Sequence, residues 1–265
     1  MGPEKGLGWT FDTVVEAYEK MRPEYPKELY EAIFAYIPVG ESSRVVEVGP
    51  GSGQATLPFL QTGCRLTGVE CGPRFSALCR EKFRDFPGFS VITGRFEHTP
   101  LEEGAYDLVF SASAFHWVPE EIGYPKVFAL LKSGGAFARF AHHPFRGYDN
   151  PALAQEIDEL YAAYYYPFYP DKKPEAVREY TAEQARQRAL TAEAYGFEEI
   201  RYALFYRTRR FSAKEYVRLL GTYSDHIALD EEVRAEFFAK IEDAIDRHGG
   251  IPLRDTMDLQ LARKP

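Results

Sequence analysis

The chain has 265 residues, 40 of them acidic and 32 basic, for a formal net charge of −8 with 45% hydrophobic and 27% charged positions. That composition fits one globular domain over residues 1–265, lacks the basic footprint of a nucleic-acid partner, and includes no apolar run near the ~18 residues of a membrane span. Its three cysteines, Cys64, Cys71 and Cys79, are odd in number and have no C-x-x-C spacing, so neither a metal site nor a disulfide framework is expected, and a reducing cytoplasm is the expected compartment.

In chain order, residues 1–9 read as a Gly- and Pro-containing leader without the charged-then-apolar pattern of an export signal. Residues 10–40 read as an N-terminal helical cap, broken where Pro23 and Pro26 oppose continuous helix. Next comes SRVVEVGPGSGQAT, Ser43 to Thr56. Val45, Val46 and Val48 around Glu47 predict a buried parallel strand, and Gly49, Gly51 and Gly53 predict a tight turn into the helix-competent QATLPFLQTG. Strands are expected at Arg44–Val48, Arg65–Glu70, Ser90–Thr93, Tyr106–Phe110 and Ala136–Ala141. Helices follow Gly53 and Pro73 and cover Tyr124–Leu131, the alternation of a parallel sheet covered on both faces.

After Ala141 the chain turns rich in tyrosine and proline, with a helix ending at Pro167. Residues 181–195 read as a helix with Thr181 as N-cap and Glu183 in its first turn. FEEIRYALFYRTRRF reads as a long strand whose arginines lie on a solvated edge rather than in a nucleic-acid patch. Helices are expected from Ser212 and over Asp230–His248, and PLRDTMDLQLARK closes the chain as an alternating strand. Ligands of open parallel sheets sit beyond the carboxyl ends of the strands. Residues 142–180 and 212–248 are therefore expected to form a helical lid there. Its tyrosines (Tyr161, Tyr164, Tyr165, Tyr166, Tyr169 and Tyr223) serve either as lid core or as substrate contacts.

The glycine turn is G-x-G-x-G, with Gln54 where a dinucleotide fingerprint has its third glycine, and the next strand, RLTGVE, ends in the acid Glu70. Through EVGPGSG, Val69-Glu70, GRFEHTPLEEGAYDLVFSASAFHWV and LLKSGGAFARF, residues 10–140 resemble the class I S-adenosylmethionine-dependent methyltransferases. The likeness is to their small-molecule branch, of the type 11/25 kind, with an FHW motif after the fourth strand. The resemblance implies a Rossmann-like, doubly wound α/β sheet of seven strands, order 3-2-1-4-5-7-6, with the last strand antiparallel. It also implies S-adenosyl-L-methionine as cofactor, S-adenosyl-L-homocysteine as product and a small-molecule methyl acceptor. No nucleic-acid or membrane partner is expected, and the chain is read as a monomer or homodimer.

The same resemblance places the methionine portion of the cofactor against Gly49, Gly51, Gly53 and Gln54, with backbone N–H groups aimed at it. Glu47 either organises the turn or reaches the cofactor ammonium through water, the family's usual residue being the shorter Asp. Tyr18 and Arg22 would hold the methionine carboxylate, and Glu70 the ribose diol. Cys71 lies beside the adenine or is a small core residue, while Arg95, Phe96 and Glu97 frame the ring, Phe96 against one face and Glu97 at N6. Ser111 and Ala112 run under the sulfonium. Phe115, His116 and Trp117 enter the cavity, and Tyr25, His142, Tyr223 and His226 join them around the substrate.

His116 is the candidate general base, with a hydrogen-bonded structural histidine as the alternative, since in-line alignment alone serves many such enzymes. Asp225 either orients His226 or is part of an exposed helix end. A carboxylate acceptor would need no base, and Arg139, Arg146 or His142 would then bind its charge. Two other readings stand beside this one, a non-catalytic S-adenosylmethionine-binding regulatory protein and a nicotinamide-dependent dehydrogenase. Gln54 and the antiparallel ending argue against the second.

Overall fold

The computed structural model describes residues 24–169, 171–172 and 178–265. Tyr18, Arg22 and the first part of the expected N-terminal cap lie outside the described residues. Seven strands form one sheet: β1 (Arg44–Val48), β2 (Arg65–Glu70), β3 (Phe89–Thr93), β4 (Tyr106–Ala112), β5 (Leu131–Phe145), β6 (Glu198–Phe211) and β7 (Ile251–Arg263). The order is β3-β2-β1-β4-β5-β7-β6. The first five strands pair in parallel, and β7 runs antiparallel to both β5 and β6. This is the expected topology.

Period-two alternation sends successive side chains to opposite faces. On one face, α1 (Lys27–Tyr36) lays Leu29, Tyr30 and Ile33 against Val45, Phe110, Phe140 and Met257. The short α2 (Thr56–Leu60) adds Phe59, whose ring stacks on Phe110 at 3.9 Å. Burying one such ring contributes about 1.5–3 kcal/mol. On the same face, α3 (Pro73–Lys82) packs Cys79 with Leu66 and Val91, and on the other face α4 (Glu120–Leu130) sets Tyr124, Val127 and Leu130 against Val46, Val109 and Phe137.

The helices beyond β5 make a core of their own. Here α5 (Pro151–Leu160), α7 (Ala213–Leu220) and α9 (Glu231–Arg247), with the single turn α8 (Ser224–Ile227) between the last two, bury Ile157, Tyr216, Phe237 and Ile241 against Leu253 of β7. Between them, α6 (Ala182–Leu190) starts in a capping box of Thr181 and Gln184. Several boundaries differ from expectation, and β5 begins at Leu131, paired with Tyr106, rather than at Ala136. β5 continues past Ala141 to Phe145, because His142 to Phe145 pair with Met257 to Arg254 of β7. The helix expected to run to Pro167 instead leaves α5 through a π-turn at Tyr161–Tyr165.

Candidate functional site

β1 and β4 are neighbours in the sheet although β2 and β3 intervene in the chain, so a crevice opens at their carboxyl ends. The turn after β1 fills its floor. Gly49 and Gly53 have φ of 72° and 79°, the left-handed region open to glycine. A Cβ would lie 2.5 Å from the Ala114 Cβ at Gly49 and 2.5 Å from the Phe83 ring at Gly53. At the tip of β2, Glu70 accepts the Gly51 N–H at 2.9 Å on one oxygen and the Gly72 N–H at 2.8 Å on the other. A carboxylate oxygen can take a second hydrogen bond, which is what a ribose diol requires.

Glu47 lies beneath this turn, fully buried. Thr56 donates to its Oε2 at 2.7 Å, whereas Oε1 has no hydrogen-bond partner among the described residues. Burial pushes its carboxyl up to about 8, with the charge of Glu70 adding to the effect and the Thr56 bond opposing it. A buried acceptor without a donor is costly to leave unmade. An ammonium group, directly or through one water, satisfies it. Gln54 turns instead to Ser52, at 2.5 Å. The glycine cradle, the orphaned Glu47 oxygen and Glu70 thus fit the methionine and ribose parts of the expected cofactor.

On the adenine side one expectation changes. Phe96 is 4% exposed and packs in the core with Val48 and Val69, its ring 5.0 Å from the Lys126 ammonium. That lysine also ties down the turn by donating to the Phe96 and Thr99 carbonyls, each at 2.6 Å. Phe96 is therefore a support rather than a stacking face. Arg95 is exposed and 3.6 Å from Glu97, and Cys71 is exposed beside Glu70. Partial desolvation and that carboxylate push the Cys71 thiol up to about 11.

After β4, Ser111 is buried and donates to the Val48 carbonyl at 2.8 Å, clamping β4 to β1, with Ala112 partly buried beside it. The next residue, Ser113, has φ 53°, a left-handed conformation for a non-glycine residue. Its hydroxyl pairs with the Tyr25 hydroxyl at 2.8 Å and accepts the His142 N–H at 3.2 Å, while the Tyr25 and His142 rings lie 4.4 Å apart. Sequence reasoning did not single out Ser113, although its place in the small-residue run SASA was a signal. Phe115, expected in the cavity, is 1% exposed and packs on Tyr124 and Phe137. Because this turn is 3-10, it throws Phe115 into the core. His116 is exposed and Trp117 partly so, their rings 5.4 Å apart.

The residues of the expected lid are more engaged than their sequence suggested. His226 is buried, with Nδ1 2.8 Å from Asp225 and Nε2 2.8 Å from the Tyr161 hydroxyl. Asp225 also accepts the Tyr165 hydroxyl at 2.5 Å and lies 3.5 Å from the Lys172 ammonium. YSDH is thus a partly buried, hydrogen-bonded polar chain rather than an exposed helix end, and both ring nitrogens of His226 are used within it and by Tyr161. Tyr223 stands beside it, rings 5.5 Å apart. Arg139 is tied to Tyr124 at 3.0 Å on the α4 face, and Arg146 to Asp158. Among the described residues no group of three or more His, Cys, Asp or Glu is placed to hold a metal, and no helix is long and apolar enough to cross a membrane.

Comparison with known proteins bears on this geometry. The family model described as "Methyltransferase domain" matches residues 46–138. An uncharacterized methyltransferase of Schizosaccharomyces pombe is 25% identical over 240 residues, 90% of this chain and 88% of its own length. One of Geobacillus is 30% identical over 155 residues, 57% of this chain and 69% of its own length. Among solved structures, a type II methyltransferase assignment from Anaeromyxobacter dehalogenans superposes with a TM-score of 0.64 at 21% identity, covering 91% of this chain and 97% of that one. The phosphoethanolamine N-methyltransferase 2 of Haemonchus contortus, solved with S-adenosylhomocysteine, gives 0.54 at 14% identity over 96% of this chain and 57% of that one.

Proposed function

The chain belongs to the class I S-adenosylmethionine-dependent methyltransferases, and on that premise we propose that it moves a methyl group from S-adenosyl-L-methionine to a small-molecule acceptor. The observation that carries the reading is the joint placement of Glu70 and Glu47 around the glycine turn: one carboxylate clasping the turn at the ribose position, the other buried with an unused oxygen. When bound between the glycine turn, Glu47 and Glu70, the cofactor would supply an electrophilic methyl group on a sulfonium for transfer to an acceptor lone pair.

The protein's part is to hold and align. Glu70 and the turn fix one end of the cofactor, and the Ser111 clamp keeps β4 close beneath it. Tyr25, Ser113 and His142 make a hydrogen-bonded wall of packed side chains where the acceptor would approach. Orienting two reactants in this way removes much of the barrier without covalent help. For an acceptor that must lose a proton, His116 at the exposed rim is the proposed base, since imidazole exchanges protons near neutral pH. A His116→Asn variant that keeps the wild-type pH–rate profile would remove it from that role. We place the protein in the cytoplasm, acting as a monomer or homodimer on a soluble metabolite.

Calorimetric titration with S-adenosyl-L-homocysteine and, separately, NADH tests the cofactor. Micromolar-range binding of the first and none of the second is expected, whereas NADH binding overturns the reading. Single-turnover transfer of labelled methyl into metabolite pools then tests turnover. Tight cofactor binding with no product in broad pools would favour a regulatory protein.

A further inference from the structure

On the sheet face that α1 covers, the upper ends of β6 and β7 carry Arg207, Arg209 and Asp255. Asp255 is fully buried and sits opposite Arg207 in register. Arg209 takes both of its oxygens, with Nη2 3.0 Å from Oδ1 and Nε on Oδ2. A bidentate fork of this kind satisfies one carboxylate. Arg207 is left over. It is partly buried, its Nε is sealed from solvent, and it makes no hydrogen bond or ion pair with any described residue. The three side chains together carry one net positive charge. Surface arginines normally keep the whole guanidinium in water, and a partly desolvated one without a partner is costly. Desolvation and the charge of Arg209 pull the Arg207 guanidinium below its usual pKa, while the charges of Asp255 and Glu24 oppose this through space, without a hydrogen bond.

The position relates this charge to the crevice. Pro144, Asp255 and Arg207 form one cross-strand row, and His142, Met257 and Phe205 form the next row toward the sheet interior. His142 is held by Ser113 and faces Tyr25 at the wall described above. From β4 to β6 is three strand spacings, about 14 Å. A small elongated acceptor bridges that span together with the Arg207 side chain. The alternatives are already committed, Arg139 to Tyr124 and Arg146 to Asp158.

We propose that Arg207 is the anion-reading residue of the acceptor site, so that the enzyme takes acceptors carrying a carboxylate, gripped by this guanidinium while the nucleophilic end lies beside Ser113 and His142. One net charge matches a monoanion, and the planar fork matches a carboxylate. The inference rests on the methyltransferase reading and narrows its substrate class.

The test uses the full chain saturated with S-adenosyl-L-homocysteine, titrated with carboxylates from butanoate to 3-phenylpropanoate and with the matching primary amides. The wild type should bind at least one acid tenfold or more above its amide. Arg207→Gln should lose that preference, Arg207→Lys should keep part of it, and all three should bind S-adenosyl-L-homocysteine alike, which also reports that they are folded. Equal binding of acids and amides by the wild type, no binding of any acid, or an undiminished preference in Arg207→Gln each overturns the proposal while leaving the cofactor reading intact. Failure of the wild type to bind S-adenosyl-L-homocysteine overturns the underlying reading instead.

Discussion

The carboxylate of Glu70, at the end of β2, accepts the backbone N–H of Gly51 at 2.9 Å, across the turn that follows β1. Its second oxygen takes the Gly72 N–H. The residue assigned to the ribose is therefore also the clasp that shapes the two loops around it. Ligand affinity and loop geometry share one side chain, and a change there acts on both.

Replacing Glu70 with Ala should weaken S-adenosyl-L-homocysteine binding by roughly 10–100-fold, the worth of one charge-assisted hydrogen bond of about 1.5–3 kcal/mol. Thermal unfolding of the ligand-free protein should move down as well, because the Gly51 and Gly72 N–H groups lose their acceptor. Calorimetry and a melting curve on the same preparation read both. An unchanged melt with weakened binding would mean that the clasp contributes nothing to the fold.

Gly49 and Gly134 both have left-handed φ, 72° and 75°, yet a Cβ at Gly49 collides with Ala114 whereas one at Gly134 meets nothing within 4 Å. Gly134→Ala should therefore cost only the backbone strain, about 1–2 kcal/mol, with cofactor binding unaltered. Gly49→Ala must also push Ala114 aside at the floor of the crevice, and its affinity for S-adenosyl-L-homocysteine should fall more than tenfold. Titrating both variants separates strain from steric displacement.

The strand ends that define the crevice were legible because they rest on local pattern. Val45–Val48 and Leu66–Glu70 are short apolar runs closed by an acid or a glycine, and their boundaries in the fold match the expected ones. Phe96, Phe115 and His226 were not legible. Each lies in a one-turn helix where a rotation of one residue decides between core and crevice, and periodicity over three or four residues is too short to set it. The last four residues of β5, with two histidines and a proline, have no strand pattern of their own and are held by β7 from more than 100 positions away. Thr56 as the partner of Glu47, and Arg207 as the arginine Asp255 does not take, are likewise facts of packing.

The helices beyond β5 should loosen in acid. Burial alone would raise the Asp225 carboxyl, but hydrogen bonds from His226 and Tyr165 and the Lys172 charge hold it well below the usual carboxylate range. A depressed native pKa contributes stability that is present above the unfolded value near 4 and is lost as pH falls through the native value. Asp225→Asn should lower the stability of these helices at neutral pH by about 1–2 kcal/mol, discounted because the side chain is 32% exposed. It should also flatten the dependence below pH 4. Hydrogen exchange over α8 and α9 as a function of pH measures this, and equal acid sensitivity in both proteins would exclude Asp225 as its source.

Cofactor binding should release a proton from Glu47. Its carboxyl, pushed by burial from 4.5 to about 8, is largely protonated at pH 7 in the ligand-free protein. The folded state then holds a proton that the unfolded chain has given up, so ligand-free stability should fall as pH rises between about 4.5 and about 8. An ammonium placed at the orphaned oxygen favours the charged form and reverses the shift. Affinity for S-adenosyl-L-homocysteine should accordingly rise with pH across the same window, reaching a plateau above about 8. Glu47→Gln keeps the Thr56 hydrogen bond but cannot ionise. It should be more stable than the wild type at pH 8 without ligand, bind more weakly, and show no such pH dependence. Titration at pH 7 in two buffers of different ionisation enthalpy counts the proton directly. Release approaching one proton in the wild type and near zero in Glu47→Gln is the expected result, and equal release from both would move the effect to another group.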